Sequence, residues 1–244
     1  MRFFWREDWV DRMDWYQSHF AHMTTPVRGE ATPSYSAHPY HRDVAERISA
    51  LIPGARLLYI VRDPIERIVS HYIQQRADGD PRSFTEHMRE LDRPDNSIVC
   101  PSRYAEQIDR YLEHFSPSQL LVVDQHRLRH ERRATLRRVF GFLGVDPDFW
   151  DPEFERERNR RDEKYTLTRS GAALFHGLID PFGRHVIRRR WPQLSSSVRR
   201  ALSRRITERP VVDGALRERL TDMLQPEVER LRALTGEPFA SWSL

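Results

Sequence analysis

Arg62 and Ser70 are the two residues whose types and spacing suggest chemistry. Leu57, Leu58, Tyr59, Ile60 and Val61 precede them, five apolar residues after the turn signal Pro53-Gly54, and predict a short strand buried on both faces. The strand stops at Arg62-Asp63-Pro64, where a helix begins. Asp63 suits the N-cap, Pro64 the first helical position and Glu66 the third, completing a capping box. Ile65, Ile68, Val69, Tyr72 and Ile73 then recur at helical spacing as a core-facing stripe. Ser70 falls at the edge of that stripe, roughly 9 Å along the helix. A guanidinium leaving the strand at Arg62 can run beside the helix toward that hydroxyl. Together they would hold a phosphate, the arginine as a bidentate fork. The plainer alternative stays open: Arg62 paired with a nearby carboxylate, and Ser70 merely solvated.

The elements that must position this pair follow the same logic. Val44, Ala45, Ile48, Leu51 and Ile52 predict a helix feeding the strand. Beyond the motif come a loop at Asp78-Gly79-Asp80-Pro81 and a short helix from about Ser83 to Leu91. Another helix carries Tyr104, Ile108, Tyr111, Leu112 and Phe115, with Ser102 as its cap. Leu120 to Val123 predicts a second buried strand ending in Asp124, so strand, helices and strand make a crossover in a parallel sheet. Leu136, Val139, Phe140 and Leu143 mark a helix closed by Gly144. Leu216, Leu220 and Met223, then Val228, Leu231 and Leu234, mark closing helices, the last beginning at Pro226.

Composition narrows the function. A chain of 244 residues, 39% hydrophobic and 31% charged, suits one soluble globular domain, 1–244. The net charge of +4 favours an anionic ligand, yet 36 acidic residues balance it too evenly to argue for nucleic acid. One cysteine, Cys100, excludes an internal disulfide and fits a reducing, cytoplasmic compartment. No apolar run approaches 18 residues, the N-terminus is not a secretion signal, and no metal-ligand cluster or nucleophilic triad is present in the sequence.

The run R-D-P-x-E-R-x-x-S-x-Y from Arg62 to Tyr72 resembles the 3′-phosphate motif of PAPS-dependent sulfotransferases, above all the glycosaminoglycan branch and its bacterial relatives. PAPS is 3′-phosphoadenosine 5′-phosphosulfate, the sulfate donor. The resemblance maps Arg62 and Ser70 onto the donor's 3′-phosphate. Gly29-Glu30-Ala31-Thr32-Pro33-Ser34-Tyr35 resembles the segment lining the acceptor side, which makes Glu30 a substrate-binding candidate beside a structural reading. Ala31 stands where several of these enzymes have a lysine, so that role is not carried over. Arg2-Phe3-Phe4, then Asp14-Trp15-Tyr16 and Phe20, is read first as aromatic packing onto a core, and it is also similar to the family segment joining donor loop to next strand. Asn159 and Tyr165, six apart in a charged run, match an asparagine and aromatic of a loop over the donor. That implies Tyr165 against the adenosine, with Arg160, Arg161 and Arg169 as candidates for phosphate or an anionic acceptor.

The resemblance implies an α/β three-layer sandwich with a parallel sheet, and sulfuryl transfer from PAPS, without a metal, to a hydroxyl or amine of a carbohydrate or glycolipid. Residues 180–210 interleave Arg184, Arg188, Arg189, Arg190, Arg199, Arg200, Arg204 and Arg205 with apolar residues at helical spacing. They predict a basic helical insert, either simply solvated or touching an anionic acceptor or membrane surface. None of the ten glycines forms a phosphosulfate loop, and Lys164 is the only lysine. The expectation is therefore a sulfotransferase-like fold lacking its first strand, loop and helix, with the catalytic base unassigned. A non-catalytic remnant that binds 3′-phosphoadenosine nucleotides, or an arginine-rich anion-binding module, are the alternatives.

Overall fold

The computed structural model describes residues 1–156, 165–167, 203–205 and 209–244. The chain divides into two compact units, one of Met1–Arg67, Leu91–Asp151 and Asp213–Leu244, the other of Ile68–Glu90 and Pro152–Val212.

The first unit is built on strands β1 (Leu57–Val61) and β2 (Leu120–Asp124), which pair in parallel from Leu57 opposite Leu120 to Val61 opposite Asp124. Paired residues share a face. Tyr59, Val61 and Val122 point into a core completed by Tyr104 and Ile108 of one helix, Val228 and Leu231 of another, and Phe239 and Trp242 of the chain's last residues. On the opposite face β2 is covered: Leu121 and Val123 are buried, and Val123 shares a small cavity with Ala134, Thr135 and Arg138. Helices thus lie on both faces of the sheet, the three-layer α/β arrangement expected.

The helices in chain order are α1 (Met13–Ser18), α2 (Val44–Leu51), α3 (Pro64–Asp78), α4 (Phe84–Arg89), α5 (Tyr104–Leu112), α6 (Gln125–His130), α7 (Arg132–Leu143) and α8 (Gly214–Thr235). The aromatic N-terminus forms a second core: Phe3 stacks on Tyr16 at 4.1 Å, and both pack with Phe4, Val44, Ile48 and Phe115. These aromatics fill the space beside α2 rather than solvent.

Three expectations are corrected. β1 is not buried on both faces, because Leu58 and Ile60 are 42% and 55% exposed while Val61 is 1% exposed. β2 is its sole strand neighbour among the described residues, and the helices α6 and α7 that cover this face lie against β2. Pro226 does not start a helix; it sits inside α8. Leu220, Leu224, Val228 and Leu231 form one buried stripe through it, and that packing outweighs the roughly 3 kcal/mol an interior proline costs. Ser102 does not cap α5, since it is buried in a 3-10 turn, Cys100–Ser102, and Arg103 takes the cap position. The helical insert at 180–210 lies outside the described residues apart from 203–205 and 209–210. There Ser203–Arg205 is a strand, β4, antiparallel to β3 (Tyr165–Leu167).

The second unit also holds α4, whose start follows the sequence closely. Ser83 accepts from the Glu86 N–H at 3.2 Å, and the Glu86 carboxylate accepts from the Ser83 N–H at 2.6 Å, a complete capping box. His87 is buried at its inner face, its ring edge-on to Tyr72.

Candidate functional site

The turn after β1 is held at every residue. Val61 anchors it in the core. The Tyr104 hydroxyl donates to the Arg62 carbonyl at 2.9 Å and accepts from the Arg62 N–H at 3.4 Å. Asp63 caps α3 as its type and position predict, Oδ1 accepting from the Glu66 N–H at 2.9 Å. Its second oxygen accepts from the Ser243 N–H at 2.6 Å.

With its backbone fixed, the Arg62 side chain turns along the first turn of α3, where Nη2 donates to the Arg67 carbonyl at 3.4 Å. This is the direction the sequence predicts, beside the helix rather than away from it. Arg67 in turn reaches the Ser102 hydroxyl from Nη1 at 3.4 Å. Two guanidiniums therefore converge on the carboxyl end of β1, where open α/β sheets bind their ligands. Their field acts on the phenols there: burial drives Tyr104 well above its ordinary value, with Arg67 and Arg62 opposing it. The hydroxyl stays protonated and remains a donor at any ordinary pH. Burial also pushes the Cys100 thiol up to about 12, so it is no thiolate nucleophile.

Ser70 lies on α3, three residues beyond Arg67, and is half-buried. It belongs to the second unit and Arg62 to the first. Tyr165 opens β3 opposite Arg205; its side chain lies outside the described residues, as do Arg160, Arg161, Arg169 and the side chains of the basic run 184–205.

Glu30 faces inward. Both carboxylate oxygens are buried without a hydrogen-bond partner. The group lies by Tyr35, whose phenol is pushed up to about 12, first by burial and then by this carboxylate. The Tyr35 hydroxyl accepts from the Phe3 and Phe4 N–H groups at 3.0 and 3.2 Å, and Tyr111 donates to the Tyr35 carbonyl at 2.9 Å. Glu30 thus belongs to a partly buried polar seam under the aromatic N-terminus.

Sequence reasoning missed Tyr104, Arg67, Ser102, Trp242 and Ser243. Tyr104 is legible as a core residue of α5, but nothing in the sequence shows where its hydroxyl points. Among the described residues, no group of three His, Cys, Asp or Glu could hold a metal, and no helix is long and apolar enough to cross a membrane.

Comparison with known proteins decides the family. A model described as "Sulfotransferase family" matches residues 6–152, more than half of the chain. This chain belongs to the sulfotransferase family. Among similar proteins, bifunctional heparan sulfate N-deacetylase/N-sulfotransferase 3 of Mus musculus and of Homo sapiens are each 32% identical over 165 residues, 61% of this chain and 18% of theirs. Bifunctional heparan sulfate N-deacetylase/N-sulfotransferase 1 of Mus musculus is 32% identical over 161 residues, 59% of this chain and again 18% of that protein. The match therefore spans under a fifth of these relatives. The crystal structure of a sulfotransferase from Alicyclobacillus acidocaldarius superposes with a TM-score of 0.60 at 21% identity, covering 100% of this chain and 85% of that one. The sulfotransferase fold is thereby shown. The turn at Arg62 and the start of α3 lie inside the matched segment.

Proposed function

We propose that this sulfotransferase moves a sulfuryl group from PAPS to an amine or hydroxyl of a carbohydrate or glycolipid. The observation that carries the reading is the anchored Arg62: a guanidinium at the carboxyl end of a parallel strand, backbone clamped by Tyr104, side chain laid along α3. That donor set suits a phosphate dianion. The family membership and the heparan sulfate relatives support the carbohydrate acceptor.

In this reading Arg62 and Ser70 bind the 3′-phosphate, and Tyr165 stacks on the adenosine. PAPS supplies the sulfuryl group: its sulfur–oxygen bond to the 5′-phosphate breaks as a new bond forms to the acceptor nitrogen or oxygen, and the acceptor's proton passes to a base. What the chain contributes is positioning and stabilisation of negative charge. Arg62, placed at the 3′ end, holds the nucleotide in register and leaves the reacting sulfur to other groups. A cytoplasmic location belongs to the same reading, as does the absence of nucleic acid among its partners.

Calorimetry tests it. Arg62→Ala should weaken binding of 3′-phosphoadenosine 5′-phosphate by about 2–4 kcal/mol, the scale of a lost charge-assisted pair. Binding of adenosine 5′-phosphate, which has no 3′-phosphate, should change far less. Equal losses for both nucleotides, with the fold intact, would remove the assignment.

A further inference from the structure

The residues that follow α8 do more than close the fold. Gly236, at φ +69, ends the helix. Phe239 then takes a left-handed conformation, φ +46, that residues other than glycine seldom adopt. Two bonds from one side chain hold the tail in place, as Arg232 of α8 donates from Nε to the Pro238 carbonyl at 3.0 Å and from Nη2 to an oxygen of Leu244 at 2.7 Å. Phe239 and Trp242 stack at 4.4 Å, both buried.

What this tail touches is specific. The Ser243 N–H meets Asp63, the residue after Arg62. The Trp242 ring lies 5.8 Å from that of Tyr104, whose hydroxyl holds the Arg62 backbone. The Trp242 indole N–H reaches Asp124, the last residue of β2, at 3.3 Å. Asp63, two residues past β1, and Asp124, the last residue of β2, each cap the following helix and receive the tail; Asp124 accepts from the His126 N–H at 2.9 Å as well.

We infer that the tail Phe239–Leu244 is a positioning element for Arg62, setting the turn from which its guanidinium departs. The inference rests on the reading of Arg62 as a phosphate ligand. A long side chain magnifies small displacements of its own Cα, and binding constellations tolerate only about 0.5 Å of error. Tail contacts on both sides of Arg62, one at Asp63 and one through Tyr104, are placed to control that displacement.

Ser243 is exposed, so its substitution tests the amide with little disturbance of packing. Ser243→Pro removes the N–H that Asp63 receives, and Ser243→Ala keeps it. Calorimetry with 3′-phosphoadenosine 5′-phosphate and with adenosine 5′-phosphate should show about a tenfold loss for the first nucleotide in Ser243→Pro, the scale of one hydrogen bond to a charged group. Adenosine 5′-phosphate binding and Ser243→Ala should be nearly unchanged. Should Ser243→Pro not fold, Arg232→Gln frees the tail from α8 without touching the turn and should give the same selective loss. Equal losses for both nucleotides, or none, overturn the inference. Failure of the underlying reading looks different: wild type and Arg62→Ala would then show the same preference between the two nucleotides.

Discussion

The Tyr104 hydroxyl, on α5, donates to the carbonyl of Arg62 at the end of β1 at 2.9 Å. The two residues are 42 positions apart, and the bond ties the helix packed on the sheet to the turn that carries the candidate ligand. Tyr104 is 2% exposed, its ring edge-on to Tyr59 at 5.8 Å. Tyr104→Phe keeps that packing and removes the hydroxyl alone. The part-buried Arg62 carbonyl then loses this donor, and the expected cost is about 1–3 kcal/mol in urea unfolding. Affinity for 3′-phosphoadenosine 5′-phosphate should fall as well. A variant within about 0.5 kcal/mol of wild type with unchanged nucleotide binding would show that the hydroxyl holds nothing that matters.

Acid should weaken the second unit through His87. The side chain is 1% exposed, with Nε2 3.4 Å from Asp80 and its ring edge-on to Tyr72. Burial lowers its pKa first, the Arg82 guanidinium lowers it further, and the Asp80 and Glu90 carboxylates oppose both. A histidine lowered on folding binds fewer protons in the native state than in the unfolded one. Its contribution to stability is complete above the unfolded value of about 6.5 and is lost as pH falls through and below it. Asp80 acts in a separate, lower window. Its hydrogen bond to Arg82 holds it down to about 2, so its contribution is lost only as pH falls from the ordinary carboxylate range toward that value. Unfolding midpoints measured between pH 7.5 and pH 5 should therefore fall, with a slope of up to about 1.4 kcal/mol per pH unit for one proton. His87→Phe should flatten that slope; a slope that survives the substitution belongs to another group.

How much of this was legible in the sequence depends on the range of the interaction. Asp63 reads correctly as a cap because a cap is decided within four residues. The parallel pairing of Leu57–Val61 with Leu120–Asp124 follows from two apolar runs joined by helices. The direction of the Arg62 side chain was legible too, since it lies along the helix its own motif begins. Tyr104, Trp242 and Ser243 were not legible as parts of the site. Their partners lie 42, 118 and 180 residues away, and only the tertiary fold brings them together. Pro226 misled for the opposite reason: its local rule is sound, but the buried stripe on either side is stronger.

β1 itself supplies the last test. An unbroken apolar run says that a strand is apolar on both faces, not that both faces are covered. The structure separates two neighbours: Val61 is 1% exposed in the core with Tyr104 and Trp242, and Ile60 is 55% exposed on the other face. Threonine keeps the β-branch favoured in strands and adds a hydroxyl, so one substitution at each position measures burial with strand propensity held nearly constant. Val61→Thr places an unpaired hydroxyl in the core and should cost about 1–3 kcal/mol. Ile60→Thr should stay within about 0.5 kcal/mol of wild type. Ile60 and Leu58 also form an apolar surface on a strand with one strand neighbour among the described residues, the kind of edge that invites association. Ile60→Lys should therefore lower light scattering of the concentrated protein while leaving the unfolding midpoint almost where it was. Equal costs for threonine at 60 and 61, with no change in scattering for the lysine variant, would mean that this face of β1 is covered in solution.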